Sequence, residues 1–153
     1  MSESKFVYAI FIRATAEKLW DGLTKPEFTR QFWCEVTLES EWKKGSAWRM
    51  LTPDGRLADA GEVLEIDRPR RLVLSWRHEL MPDLRAEGFS RAEFDLKPAA
   101  DAIELTVTHS IDHENSKLIE GFASGWPPLL SSLKSLLETG DALEVTKKWP
   151  EGM

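Results

Sequence analysis

An amphipathic stretch near the end of the chain, residues 124–140, places the strongest constraint on the fold. Serine, lysine and glutamate fill one side of its helical repeat, and six large apolar residues share the other side: Trp126, Leu129, Leu130, Leu133, Leu136 and Leu137. The spacing predicts a helix from Trp126 to Thr139. Pro127 and Pro128 suit its first turn, and Gly140 suits a left-handed C-terminal cap. So wide an apolar face needs a large apolar partner surface, which the preceding chain must supply.

The preceding chain is predicted to supply that surface as a sheet. Seven stretches are rich in β-branched and aromatic residues or alternate between apolar and polar residues: 5–12, 36–39, 46–51, 56–66, 71–78, 90–96 and 103–110. The first stretch is almost continuously apolar, which predicts that both of its faces are covered. Turn signals such as Pro53–Gly55 and Arg68–Pro69 separate consecutive strands. The pattern predicts an antiparallel meander.

Two short helices are predicted between the first strand and the other six, and a helical turn after the last strand. Thr15 is placed as the N-cap of a helix over 16–23, and Pro26 begins a second one over 26–33. The segment 79–88 is expected to be a loop, and 117–122 to hold a helical turn. Helices grouped at the ends of a run of strands predict an α+β fold.

Composition narrows the classes of protein. A chain of 153 residues with 42% hydrophobic content suits a single domain over 1–153, with an ordered core over about 5–140 and a tail over 141–153 in which Trp149 can dock. The net charge of −6 argues against nucleic acid or an anionic membrane as a partner, and no insertion into a membrane is expected. The lone Cys34 forms no internal disulfide, and we expect a small residue there that is buried or half-buried. With no charged and apolar leader and no long apolar run, a cytoplasmic protein is expected.

Five segments together resemble a known family: 16–24, 26–28, 61–67, 70–76 and 125–137. They are similar to the START-like superfamily, also called SRPBCC or birch-pollen-allergen-like. They resemble in particular its bacterial branch related to the C-terminal domain of the activator of the heat-shock-protein-90 ATPase. The resemblance implies a helix-grip fold, in which a curved seven-stranded antiparallel sheet wraps round a long C-terminal helix. Two short helices follow the first strand, and an apolar cavity lies between sheet and helix. Members bind or transform many unrelated ligands, so no ligand is implied.

Alternation along the strands predicts which side chains face the helix. The inner set comprises Phe6, Tyr8, Ile10, Ile12, Trp48, Met50, Leu72, Leu74, Trp76, His78, Ala92, Phe94, Leu96, Ile103, Leu105, Val107 and His109. Most of the seven tryptophans are expected to fill the core. Polar groups on such faces need a partner, either protein or ligand. The candidate ligand-binding residues are Tyr8, Trp33, Trp48, Met50, Trp76, His78, His109, Trp126 and Leu130.

Catalytic and metal-binding motifs give little guidance. His109, Asp112, His113 and Glu114 are metal-ligand types, but they straddle a strand end and no further Cys or His cluster completes the set. We therefore expect no metal and no cofactor. Asp59, Glu62 and Glu65 form no paired-carboxylate site by spacing alone, because residues 62 and 65 face opposite sides of their strand. No catalytic residue is assigned.

Three functions fit the sequence. The first is a domain that binds a small apolar or aromatic molecule in a cavity between the sheet and the C-terminal helix. The second is a cyclase- or hydrolase-like enzyme in the same cavity, with Tyr8, His78 or His109 as acid or base. The third is a chaperone-associated interaction domain, although the predicted single domain lacks the separate N-terminal half of such activators. A homodimer is compatible with each function.

Overall fold

The computed structural model describes residues 2–153 and shows seven strands and four α-helices. In chain order they are β1 (Ser4–Ile12), α1 (Ala16–Thr24), α2 (Pro26–Phe32), β2 (Thr37–Ser40), β3 (Ala47–Leu51), β4 (Leu57–Asp67), β5 (Arg71–His78), α3 (Pro82–Arg85), β6 (Ser90–Ala99), β7 (Ala102–Ile111) and α4 (Lys117–Thr139). A 3-10 turn, Glu144–Thr146, follows α4. The segment 79–88, predicted as a loop, contains the short helix α3. In the described part of the chain, no helix has the length and apolarity that a membrane crossing requires.

The strands form one curved antiparallel sheet in the order β1-β7-β6-β5-β4-β3-β2. Strands β2 to β7 follow one another as hairpins, while β1 pairs with β7, so that Ser4 lies opposite Ile111. Helix α4 packs against β1 and β7 and against both short helices, α1 and α2. The α+β class and the helix-grip arrangement are therefore confirmed.

Helix α4 begins nine residues earlier than the sequence predicted, because its N-terminus is at Lys117 and Trp126 lies inside the helix. The Ser116 hydroxyl caps this end by accepting a hydrogen bond from the Ile119 amide at 3.1 Å. The Glu87 carboxylate, from the loop before β6, accepts a second one from the Lys117 amide at 2.8 Å. These caps and the packing of the first turns outweigh the hydrogen bonds that the two internal prolines remove. The predicted end is confirmed, because Gly140 has a φ of +90°.

The first strand has one exposed face, which contradicts the prediction that both are covered. Its inner residues are buried or half-buried, but Val7 and Phe11 on the outer face are 54% and 53% exposed. The inner face carries the apolar core into which α1, α2 and α4 pack, and β1 lies at the sheet edge. The apolar outer side chains of this edge strand remain in contact with solvent.

A bulge and a glycine adjust β4 to its neighbours. The register between β4 and β5 shifts by one residue between Val63 and Glu65, so that Asp59 lies opposite His78. A Cβ atom on Gly61 would lie 1.8 Å from the Ser75 carbonyl oxygen of β5. The missing side chain thus permits a close approach of the two backbones.

Candidate functional site

Aromatic side chains fill the space between the sheet and α4. Trp76 of β5 lies at the centre, with ring centroids 4.6 Å from Trp48, 5.5 Å from Phe122 and 5.8 Å from Trp126. Five of the seven tryptophans are buried, as predicted for core residues. A void of only about 10 Å³ remains where Trp33, Trp48 and Trp76 meet. The interior behind these rings is therefore packed.

An apolar cleft lies at one end of this packed interior and has a volume of about 360 Å³. Helix α4 lines it with Leu118, Gly121, Phe122, Gly125, Pro128 and Leu129. The remaining lining residues are Trp33, Cys34, Val36, Met50, Asp59, Trp76, His78, Met81, Leu84, Val145, Thr146, Trp149, Pro150 and Met153. A volume of this size lies at the lower end of the range for small-molecule sites, about 300–1,000 Å³.

Two glycines keep the α4 side of the cleft open. Gly121 and Gly125 lie one helical turn apart, and a Cβ atom built on either residue meets no other atom within 4 Å. Each glycine costs the helix roughly 1 kcal/mol relative to alanine. Neither is required by a tight contact or a left-handed backbone, so their structural effect is the space they leave.

The segment after α4 forms the outer wall of the cleft. The Leu143 amide donates a hydrogen bond to the Ser132 hydroxyl at 2.9 Å, and the Cys34 amide donates one to the Thr146 carbonyl at 2.7 Å. These bonds fix the 3-10 turn against α4 and the loop before β2. Trp149, which the sequence analysis allowed to dock, packs partly buried against the core and lines the cleft.

A buried acid–histidine pair forms the polar part of the cleft wall. The Asp59 carboxylate accepts a hydrogen bond from the Trp76 indole at 2.5 Å and lies 3.2 Å from Nδ1 of His78. The side chains of Asp59 and His78 are 7% and 12% exposed. Among residues 2–153, only two buried side-chain polar atoms lack a hydrogen-bond partner, Nε2 of His78 and Oγ1 of Thr146. Both residues line the cleft.

His109 lies behind the cleft in a closed chain of hydrogen bonds. The Trp126 indole N–H donates to Nδ1 at 3.2 Å, and Nε2 lies 2.8 Å from the Ser90 hydroxyl, which itself donates to the Trp76 carbonyl at 2.9 Å. Since Nδ1 accepts and the Ser90 proton is engaged, Nε2 carries the ring proton. Burial lowers the pKa of His109 to about 3. The imidazole is therefore neutral and satisfied at neutral pH.

Cys34 lines the cleft but is a poor nucleophile. Burial, reinforced by the neighbouring Glu35 carboxylate, raises the pKa of its thiol. The thiol therefore stays protonated at neutral pH, and its half-buried position agrees with the sequence expectation. Within the described range, no group of three or more His, Cys, Asp or Glu side chains could hold a metal ion.

The candidate ligand-binding residues divide into three groups. Trp33, Met50, Trp76 and His78 line the cleft. Four others are buried behind it and are not part of its lining: Trp48, His109, Trp126 and Leu130. Tyr8 is half-buried on β1, stacks on Phe6 at 6.2 Å and lies outside the cleft.

Sequence reasoning missed the main polar residue of the cleft, Asp59, and the contributions of Phe122 and of the segment after α4. The sequence carried one partial signal for Asp59. Counting back along the two strands from the β4–β5 turn places Asp59 opposite Glu79, one residue away from its actual partner. Only the bulge moves the partner to His78, and nothing in the local sequence marked that bulge.

The sheet and the helix it encloses define the class of protein, a helix-grip domain of the START-like superfamily. The model of the family described as activator of Hsp90 ATPase homolog 1-like protein matches residues 13–138, and the chain belongs to this family. No curated protein matches the chain in sequence.

Solved structures share the fold at low sequence identity. MLL2253 from Mesorhizobium loti is 22% identical with a TM-score of 0.75, over 90% of this chain and 99% of that one. The Aha1 dimer from Colwellia psychrerythraea is 22% identical with a TM-score of 0.70, over 90% and 98%. DynU16, from the dynemicin biosynthetic locus, is 21% identical with a TM-score of 0.77, over 96% of this chain and 51% of that one. This chain thus spans about half of DynU16.

Proposed function

We propose that this protein binds a small, largely apolar molecule in the cleft between the end of the sheet, the first half of α4 and the segment after α4. The observation that carries this proposal is the pair of glycines, Gly121 and Gly125, on the cleft side of α4. Alanine at either position would favour the helix and meet no obstacle. A folding requirement alone does not account for glycine there, whereas a need for space does.

The lining supports the same proposal. Most of the residues around the cleft are apolar, and Trp33, Phe122 and Trp149 offer aromatic surface to a ligand. The volume of about 360 Å³ suits a compact ligand of a few rings. The packed interior behind Trp76 directs the ligand to this end of the molecule, outside the space enclosed between sheet and helix.

The test is to fill the cleft from α4. N-phenyl-1-naphthylamine is a neutral apolar fluorophore whose emission rises on transfer out of water, and its titration gives an affinity directly. Gly125→Leu should weaken its binding by tenfold or more while the helix gains propensity. Ser124→Leu adds the same side chain at the preceding, exposed position, which does not line the cleft, and should leave binding unchanged. Equal affinity in both variants would contradict the proposal.

An enzymatic role in the same cleft is the second candidate, and the Asp59–His78 pair favours it. A carboxylate that orients an imidazole is the arrangement of a general base. Of the three acid or base candidates from the sequence, only His78 lines the cleft. Hydrolysis of 4-nitrophenyl acetate above the rate of the His78→Gln variant would support this role, and equal rates would remove its basis.

The chaperone-associated role has the family description as its support, and stimulation of an Hsp90 ATPase would test it.

We also propose that two copies associate through β1. The Colwellia psychrerythraea Aha1 structure is that of a dimer, and β1 here is an edge strand with exposed Val7 and Phe11. An exposed apolar edge is a site for strand pairing. Light scattering should give the mass of two chains for the native sequence and of one chain for Val7→Lys. A single-chain mass for the native sequence would contradict this proposal.

A further inference from the structure

The two buried side-chain polar atoms that lack a partner among residues 2–153 lie in the walls of one cleft. Nε2 of His78 and Oγ1 of Thr146 are the only such buried side-chain atoms in the described chain, and these residues come from β5 and from the turn after α4. Thr146 is 5% exposed. Buried polar groups in native proteins nearly always have partners, and an exception requires an explanation. Two exceptions in the same cleft have a common explanation if a ligand supplies the missing hydrogen bonds.

The Asp59 carboxylate sets the chemistry that His78 presents. One of its oxygens accepts the Trp76 indole N–H and the other faces Nδ1 of His78 at 3.2 Å. An ionised carboxylate only accepts hydrogen bonds, so Nδ1 carries a proton. In the neutral ring, Nε2 then offers a lone pair, and in the protonated ring it offers an N–H. A partner that can both donate and accept satisfies either state.

A hydroxyl group has this property, and it also suits the Thr146 hydroxyl, which donates and accepts. A carboxylate ligand is disfavoured, because the carboxyl group of Asp59 already lies in the lining and no lysine or arginine lines the cleft within the described chain. The remaining lining is apolar and partly aromatic. We therefore propose that the ligand is a neutral aromatic molecule with a hydroxyl group, a phenol, which is held by His78 and Thr146. This inference rests on the proposed binding function.

The test compares three ligands with the same ring system on the full chain. Naphthalene, 2-naphthol and 2-naphthoate differ only in the substituent, and each is measured by displacement of N-phenyl-1-naphthylamine and, for 2-naphthol, also by direct calorimetry. We expect 2-naphthol to bind about tenfold more tightly than naphthalene, and 2-naphthoate to bind more weakly than 2-naphthol. Equal affinity for naphthalene and 2-naphthol, or no binding of 2-naphthol, would overturn the inference.

Two variants assign the effect to the named atoms. His78→Phe and Thr146→Val each replace a polar atom with an apolar group of similar shape. Each should reduce the preference for 2-naphthol severalfold and leave naphthalene affinity within about twofold. His113→Gln, at an exposed histidine outside the cleft, is the control and should leave both affinities unchanged. If one variant does not fold, the other still decides, and a preference that survives in the folded variants refutes the inference.

The outcomes also separate this inference from the proposed function. Suppose that Gly125→Leu abolishes the binding of N-phenyl-1-naphthylamine but the native chain shows no preference for 2-naphthol over naphthalene. This result would support the cleft as a binding site and reject a phenol as its ligand. Fluorophore binding that Gly125→Leu does not change would reject the cleft itself.

Discussion

Replacing His109 with a side chain that does not titrate should abolish most of the loss of stability that the protein shows between pH 7 and pH 5. Burial holds the pKa of this histidine at about 3, against an ordinary value of 6.5 in the unfolded chain. Below pH 6.5 the unfolded state therefore takes up a proton that the folded state does not. The free energy of unfolding then falls by at most about 1.4 kcal/mol per pH unit until the pH nears 3. By pH 5 the loss from His109 amounts to about 2 kcal/mol.

Urea unfolding followed by tryptophan fluorescence at pH 7 and pH 5 measures this loss. His109→Gln retains a donor and an acceptor for Ser90 and Trp126 but does not titrate in this range. His113→Gln is the matched control at an exposed histidine. The native chain and the control should lose about 2 kcal/mol between the two pH values, and His109→Gln should lose much less, whatever its stability at pH 7.

The pH window is chosen to isolate this group. Glu79, for example, has its pKa lowered by a hydrogen bond from Arg77, so its contribution is lost at lower pH, around and below its unfolded value of 4.5. If His109→Gln loses as much stability as the native chain between pH 7 and pH 5, the buried neutral imidazole is not the source of the acid sensitivity.

Three further substitutions test the packing by the same unfolding measurement. Leu133→Ala should cost about 2–5 kcal/mol, because this fully buried side chain leaves a cavity against α1, and a cost below 1 kcal/mol would show a loosely packed helix. Gly61→Ala should prevent stable folding, because its Cβ atom would lie 1.8 Å from a β5 carbonyl oxygen. The control Gly121→Ala should be neutral or stabilising. Similar stabilities of the two variants would contradict the close contact between the β4 and β5 backbones. Trp126→Phe should cost about 1–3 kcal/mol by leaving Nδ1 of His109 unpaired, and a neutral result would argue against that hydrogen bond.

The periodic parts of the fold could be predicted from sequence. Alternation identified the inner faces of β3, β5, β6 and β7, because a sheet with one buried face imposes a period of two on its residues. The start of α4 could not be predicted, since Pro127 and Pro128 are strong local signals while the cap from Glu87 comes from 30 residues earlier in the chain. The exposed face of β1 could not be predicted either, because the apolar composition of 5–12 does not reveal that the core lies on only one face of the strand.

The cleft was harder to predict than the fold. Alternation shows which face a residue lies on but not how deep it lies along the strand, so Trp48 and His109 were grouped with Trp76 although only Trp76 lines the cleft. The Asp59 contact with His78 depends on a bulge, and the place of Thr146 depends on how the chain turns back after α4. Such features follow from tertiary packing and have no periodic signature.

The pairing of β1 with β7 has a consequence for the order of folding. Strands β2 to β7 meet their neighbours across short turns or, between β5 and β6, across the segment that holds α3, but the β1–β7 ladder aligns residues as far apart as Ser4 and Ile111. The chain entropy lost in joining such distant segments is not repaid until the ladder and its contacts with α4 form together. We expect the hairpins to form first and β1 to dock with α4 in the slowest step. The speed of folding is then set by the meeting of the chain's first strand with its last, and not by the sheet between them.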